Sequence, residues 1–258
     1  MKTIKVNLPR SLKEIEIVTL ADLHIGDKFC DLKLVKSWVD YIRDNDNVYT
    51  ILNGDLMNNA IKNSVSNVYE DVMTPTQQLY YLRDLFMPIK DKILAITSGN
   101  HERRTSKESD MHLSRTLSTF LDKDDVYSEE GVFLFVRLGE LNKKATGKQK
   151  RRQVCYTIYV THGSGSALKS NPAEGLSDSI DADVYIHSHI HQPQKKYGAV
   201  FRADTKNNTV SKFDRLYIIT GSTLGYGGYA QIKKYKPSSN RNPILVLDGS
   251  KKLFWEKS

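Results

Sequence analysis

The segment 183–193 reads DVYIHSHIHQP and holds three of the chain's seven histidines, His187, His189 and His191, at alternate positions behind a run of strand type. A period of two puts alternate side chains of an extended strand on one face, so the three imidazoles could converge on one cation. From this segment alone, a polar strand face or a local histidine tract reads the same way. Similar polar exceptions recur, each directly after an apolar run: Ala21-Asp22-Leu23-His24 after EIEIVTL, Asn53-Gly54-Asp55 after VYTIL, Ser98-Gly99-Asn100-His101-Glu102 after KILAIT, and His162-Gly163 after VCYTIYVT. Six of the seven histidines fall in these clusters. Aspartate, asparagine and histidine together suit borderline and moderately hard divalent ions, and the lack of cysteine among them argues against a structural zinc site. The set exceeds what one ion takes. Two ions sharing a carboxylate would use it fully, an arrangement that serves phosphoryl transfer and nuclease chemistry.

The series Asp-X-His, Gly-Asp, Gly-Asn-His-Glu, His and X-His-X-His, running in this order from Asp22 to His191, resembles the calcineurin-like metallophosphoesterase superfamily. The chain looks like its small stand-alone or phage-type members, the DNA-repair exonuclease-like kind. The resemblance implies a four-layer αββα sandwich of two mixed sheets flanked by helices. It also implies two divalent metal ions, Mn²⁺ first among them, with Fe²⁺, Zn²⁺ or Ni²⁺ as alternatives. Carried over motif by motif, Asp22, His24 and His191 would bind one ion, Asn100, His162 and His189 the other, and Asp55 both. His101 would not be a ligand; it would stand on the leaving-group side as general acid or transition-state stabiliser. The implied activity is metal-dependent hydrolysis of a phosphoric ester, with a metal-bridging hydroxide as nucleophile. Such a hydroxide forms near neutral pH because two cations lower its pKa, and a departing alkoxide needs an acid that titrates near neutrality, which suits histidine.

Two departures from the family pattern bear on substrate. Protein serine/threonine phosphatases carry Gly-Asp-X-X-Asp-Arg, whereas this chain has Gly54-Asp55-Leu56-Met57-Asn58-Asn59, which argues against a typical protein phosphatase. Asn58 could still accept a hydrogen bond from His101, although an amide stabilises an imidazolium less than a carboxylate does. The usual glycine before the last His-X-His is Ser188. Assigning His189 and His191 to different ions requires the strand to end near Ser188, which leaves His187 as a packed or supporting residue.

The elements that must position these residues follow from periodicity. Segment 14–20 reads as a strand, 31–45 as a helix with Leu32, Val35, Val39 and Ile42 near helical spacing, 47–52 as a strand, 76–90 as a helix and 92–97 as a strand. Strands alternating with helices imply parallel crossovers, and ligands in such sheets lie outside the carboxyl ends of the strands. After a helix within 111–121, the runs VFLFVRL, VCYTIYVTH, DVYIH, AVFRA, RLYIIT and PILVLD predict a second, mixed or antiparallel sheet. No linker composition interrupts the chain, so one domain over 1–258 is expected.

Composition narrows the partners. A net charge of +8 favours a polyanion, and the run LNKKATGKQKRR at 141–152 could be a basic hairpin tip that tracks a phosphate backbone, although a solvated loop explains that run better. Arg103 and Arg104 could meet phosphate oxygens, or pair with Glu102 or Glu108. Tyr226 and Tyr229 sit in a Gly-rich stretch that could stack on a base or simply be buried. His112 reads as an ordinary helix-face residue. Gly163-Ser-Gly-Ser166 lacks the context of a serine-hydrolase elbow, and residues 221–229 lack a P-loop ending. Two cysteines, no long apolar run and a charged N-terminus point to a cytoplasmic protein with no membrane span. The function expected is a phosphodiesterase acting on nucleic acid (DNA or RNA) or a nucleotide. A phosphomonoesterase or protein phosphatase is the enzymatic alternative, and a metal-binding scaffold of the same fold is the non-enzymatic one.

Overall fold

Strand β2 (Glu14–Leu20) is buried from Ile15 to its end, and β4 (Ile93–Thr97) is buried throughout. Strands with no exposed face must lie between two other layers. The computed structural model describes residues 1–62, 64, 68–141, 152–164, 171–227, 231, 237 and 239–257. Most of the basic run, at 142–151, and Tyr229 lie outside the described residues.

Two six-stranded mixed sheets form the centre. The first has the order β12 (Phe254–Lys257), β11 (Ile244–Asp248), β2, β3 (Val48–Asn53), β4 and β5 (Tyr127–Ser128). Its members β2 to β5 run parallel, and β11 joins β2 antiparallel. The second has the order β1 (Lys2–Asn7), β6 (Val132–Leu138), β7 (Val154–Thr161), β8 (Val184–His187), β10 (Thr209–Ile219) and β9 (Gln194–Asp204). Here β7, β8 and β10 are mutually parallel. The sheets face each other across a core to which Ile17, Ile51 and Leu94 contribute from one side and Leu134, Ile158 and Ile186 from the other.

Helices α1 (Leu32–Asp44), α2 (Pro75–Phe86) and α4 (Leu113–Phe120) cover the outer face of the first sheet, burying Val35, Val39, Ile42, Leu82, Phe86 and Leu117 against it. Asp31 caps α1 by accepting from the Lys33 and Leu34 amides, and Thr74 and Gln77 close a reciprocal capping box on α2. The predicted helix 76–90 ends earlier, at Phe86, and continues as a 3₁₀ segment from Met87 to Lys92, where Pro88 supplies no amide for the α-helical ladder. On the far side the covering layer among the described residues is one turn, α5 (Pro172–Gly175), and the 3₁₀ turn Leu176–Asp178, packed on Tyr159, Tyr185 and Tyr217. A short helix α3 (Glu102–Ser109) follows β4 directly. Among the described residues no helix is long and apolar enough to cross a membrane.

Every polar cluster singled out in the sequence follows the carboxyl end of a strand. β2, β3 and β4 deliver Asp22, Asp55 and Asn100 from the first sheet, and β7 and β8 deliver His162 and His189 from the second. The two sheets are aligned so that these ends open on the same side, beside one another.

Candidate metal centre

The turns after β2 and β3 prolong the parallel ladder beyond the strands. The amide of Asp22 donates to the Gly54 carbonyl (3.1 Å), that of His24 to Asp55 (3.0 Å) and that of Ile25 to Leu56 (2.9 Å). This pairing forces a tight coil, and Asp22, His24 and Asp55 adopt φ of +51°, +49° and +49°. His189 and His191 do the same at +73° and +60°. Left-handed backbone costs a non-glycine residue roughly 1–2 kcal/mol, and Asp, Asn and His tolerate it better than branched residues. Five of the seven expected ligands therefore sit on strained backbone, a concentration typical of functional sites.

Two glycines make the crowding feasible. A Cβ on Gly99 would stand 2.1 Å from Asp55 Oδ1, and one on Gly54 would stand 2.5 Å from the Gly99 nitrogen. Glu102, fully buried, accepts from the amides of Asp55, Gly99 and Met57, each at 3.0 Å. Its carboxyl is raised to about 6 by burial and by the neighbouring Asp55. It clamps the turn after β3 to the turn after β4, and its charge also acts on Arg104.

The donor atoms converge in three overlapping groups, Asp22 with His24 and His191, His24 with Asp55 and His101, and Asp55 with His162 and His189, each within 4.8 Å. Nε2 of His24 lies 3.2 Å from Nε2 of His191, and Nε2 of His191 lies 3.1 Å from Asp22 Oδ1. Nε2 of His162 lies 3.2 Å from Asp55 Oδ2 and 3.3 Å from Asn100 Oδ1. His162 is oriented by its other nitrogen, Nδ1, which donates to the Asn53 carbonyl (2.7 Å) and leaves Nε2 facing the carboxylates. His24 Nδ1 and His189 Nδ1 are buried without a hydrogen-bond partner, and Asp22 Oδ1 is buried facing the ring nitrogen of His191. Ring nitrogens and carboxylate oxygens crowded this closely, some of them orphaned, fit cation coordination. The set suits a binuclear divalent centre.

The electrostatics agree. Burial pushes the His162 imidazole down, yet the carboxylates of Asp55 and Asp22 and the bonds to Asp55 and Asn53 outweigh it and raise it to about 10. Such a field attracts positive charge. His24, which has like-charged His101 and His191 beside it, is pushed well below its usual range, chiefly by burial.

His101 stands edge-on to His24 with ring centroids 4.4 Å apart, its Nε2 3.9 Å from Asp55 Oδ2. Its Nδ1 donates to the backbone carbonyl of Asn58 at 2.7 Å. The asparagine side chain, expected to accept that bond, instead donates to Asp71 at 2.6 Å, because the loop turns the carbonyl and not the amide toward His101. Arg104 reaches His101 Nε2 (2.8 Å) and the Asn58 carbonyl (3.1 Å). Arg103 departs from the expectation for a phosphate contact: its guanidinium is engaged by the Ser98 and Glu129 carbonyls and by the Glu129 carboxylate. His112 pairs with Asp110 and Glu129 outside this cluster.

His187 ends β8, opposite Thr161 and Ile219. It is buried, its Nδ1 donates to the Ser188 carbonyl (2.6 Å), and burial lowers it to about 4. A Cβ on Gly163 would stand 2.1 Å from its ring, so the glycine after His162 makes room for this imidazole. Ser188 accepts from Asn53 Nδ2 (2.6 Å) and Thr220 Oγ1 (2.9 Å), while Asn53 Oδ1 accepts from Thr97 (2.6 Å). That chain of polar groups ties the two sheets together beneath the cluster. Sequence reasoning also missed Ser222 and Thr223, whose hydroxyls donate to the carbonyls of Asp22 (2.7 Å) and Leu23 (3.0 Å) and brace the first turn. Tyr226 nearby in sequence is half exposed.

The family profile for calcineurin-like phosphoesterases matches residues 15–193, more than half of the chain. The protein belongs to the calcineurin-like phosphoesterase family. No curated protein matches the sequence significantly. Among solved structures, a metallophosphoesterase from Sphaerobacter thermophilus superposes with a TM-score of 0.41 at 12% identity, over 91% of this chain and 84% of the other. Wild-type Vps29 complexed with Zn²⁺ from Entamoeba histolytica gives 0.40 at 10% identity, over 91% and 86%. As a family member this phosphoesterase is a metal-dependent hydrolase of phosphoric esters, with a buried Asp/His cluster suited to a binuclear divalent centre.

Proposed function

We propose that this phosphoesterase is a single-domain, cytoplasmic phosphodiesterase acting on nucleic acid or a nucleotide. In this reading Asp22, His24 and His191 hold one ion, Asn100, His162 and His189 a second, and Asp55 is shared, with Mn²⁺ the preferred metal. The observation that carries the reading is the convergence of these donors, with buried ring nitrogens of His24 and His189 lacking a hydrogen-bond partner, beside His101, whose Nδ1 is committed to the Asn58 carbonyl. Bound divalent ions would supply an activated water and neutralise the phosphate oxygens.

The chain's own residues supply the rest. With Nδ1–H committed to the Asn58 carbonyl, His101 can carry a transferable proton only on Nε2, the edge turned toward Asp55. Arg104 stands at that same edge. It can donate to a phosphate oxygen, and after His101 has given up its proton it donates into the freed Nε2 lone pair, as the 2.8 Å contact illustrates. A polyanionic diester is favoured by the +8 net charge and by Arg104. The free thiols Cys30 and Cys155 accord with a reducing compartment.

The substrate class is tested by incubating the Mn²⁺-loaded protein with single-stranded DNA, RNA, cyclic nucleotides and a panel of phosphomonoesters. Diester cleavage that His101→Ala lowers by about 10²-fold or more is expected. Rapid turnover of monoesters with all diesters resistant would replace this reading by the phosphomonoesterase one.

A further inference from the structure

We infer that Asp71 is a positioning residue for His101, acting through Asn58. It supplies from 13 residues downstream the carboxylate that position 58 lacks. The inference rests on the reading of His101 as proton donor.

The Asn58 amide closes the last rung of the parallel pairing, donating to the Ile25 carbonyl (2.9 Å), but residues 58–60 belong to no helix or strand and the Asn58 carbonyl lies past that rung. That carbonyl nevertheless carries two functional bonds, from His101 Nδ1 (2.7 Å) and Arg104 Nη1 (3.1 Å). What holds it is a grip on three successive residues. Asp71 Oδ1 accepts from the Asn58 side chain (2.6 Å), and Oδ2 accepts from the Ala60 amide (3.4 Å). Gln78, fully buried on α2, accepts from the Asn59 amide (2.9 Å) and donates to Asp71 Oδ2 (3.0 Å). Asn59 itself sits at φ +45°, a conformation that persists only when its surroundings dictate it. Asn59 completes the frame by donating to the His101 carbonyl (2.6 Å). Asp71 brings a carboxylate to this frame, and its bond to the Asn58 amide is charge-assisted and correspondingly strong. Without it the peptide after Asn58 keeps the Gln78 bond to its amide but loses the carboxylate that anchors both Gln78 and the Asn58 side chain, so the carbonyl is held less firmly and the imidazole it orients loosens. A misplacement of about 1 Å in a reacting group is enough to cost roughly 10²-fold in rate.

A carboxylate that merely fastens a loop would affect all substrates alike, whereas one that positions the acid matters most when the leaving group needs a proton. The Mn²⁺-loaded full chain is assayed with p-nitrophenyl and phenyl esters of whichever phosphate class turns over. Asp71→Ala and Asn58→Ala are expected to lower kcat on the phenyl ester by about tenfold while changing the p-nitrophenyl ester less than about threefold, with KM unchanged. In the metal-free protein, imidazole ¹⁵N NMR is expected to show His101 as the Nδ1–H tautomer in the wild type and as a mixture in Asp71→Ala. Equal losses on both esters, or an unchanged tautomer, would overturn the inference. His101→Ala separates the two ideas: if it shows no leaving-group selectivity, the proton-donor reading falls and this inference with it. If it is selective and the other variants are not, only the role of Asp71 falls. Should Asp71→Ala fail to fold, Asn58→Ala carries the same comparison, since it leaves Asp71 bonded to Gln78 and Ala60.

Discussion

His187 and His189 are two residues apart, yet their surroundings assign them different work. His187 is packed at a strand end with its Nδ1 satisfied by the next carbonyl, whereas His189 sits at φ +73° with a buried, unpartnered Nδ1 in the cluster around Asp55. His187→Ala is therefore expected to keep the wild-type metal content, measured by mass spectrometry of bound metal, while losing roughly 2–4 kcal/mol of stability to the cavity. His189→Ala is expected to lose at least one ion. Residue types and order made the ligand candidates legible, because Asp, Asn and His are both metal donors and the residues that tolerate left-handed backbone. The support of His101 was not legible. A backbone carbonyl has no sequence signature, and the loop's direction decided that Asn58 would offer its main chain and not its amide. The clamp made by Glu102 was not legible for a similar reason, since its three backbone partners come from turns that only the folded sheet brings together.

At the scale of elements, the site depends on two sheets keeping their carboxyl ends level. The polar chain Thr97–Asn53–Ser188–Thr220 links β4 and β3 to the ends of β8 and β10 inside an otherwise apolar interface. Asn53→Ala would remove the partner of the Thr97 hydroxyl, one of the two partners of the Ser188 hydroxyl and a donor to the Thr161 carbonyl, and deprive His162 of nothing directly, since that bond is to the Asn53 main chain. The expected cost is roughly 2–4 kcal/mol in denaturant unfolding, with weakened metal retention as the sheets lose alignment. A variant as stable as wild type would show that apolar packing alone aligns them. The strands β2, β3 and β4 and the helices between them were legible because burial of both strand faces and one helix face writes strong periodicities. β1 and most of the β9–β10 hairpin were not. β1 pairs at a sheet edge with charges at Lys2 and Lys5, and β9 is largely exposed along its length, with Phe201 at 71%. Pairing, to the distant β6 for β1 and across a hairpin for β9 and β10, and not pattern, makes these segments strands.

At the scale of the molecule, the donors come from five segments spread from Asp22 to His191, so they share a site only in the folded chain. Ion binding is thus linked to folding. Saturation at about 100 times Kd should add roughly 2.7 kcal/mol per site, or about 5–10 °C in Tm for a chain of this size. Addition of a chelator should remove that gain, as calorimetry would read. The +8 charge adds a long-range attraction for polyanions that salt should weaken. All of this converges on Asp55, the carboxylate common to two of the three donor groups and bonded through Oδ1 to the His101 amide at 2.8 Å. The most direct test is the rate of bis-p-nitrophenyl phosphate hydrolysis by the Mn²⁺-loaded protein, compared with Asp55→Ala. Metal-dependent turnover in the wild type and a loss of about 10³-fold or more in the variant are expected; undiminished hydrolysis by Asp55→Ala would contradict the account.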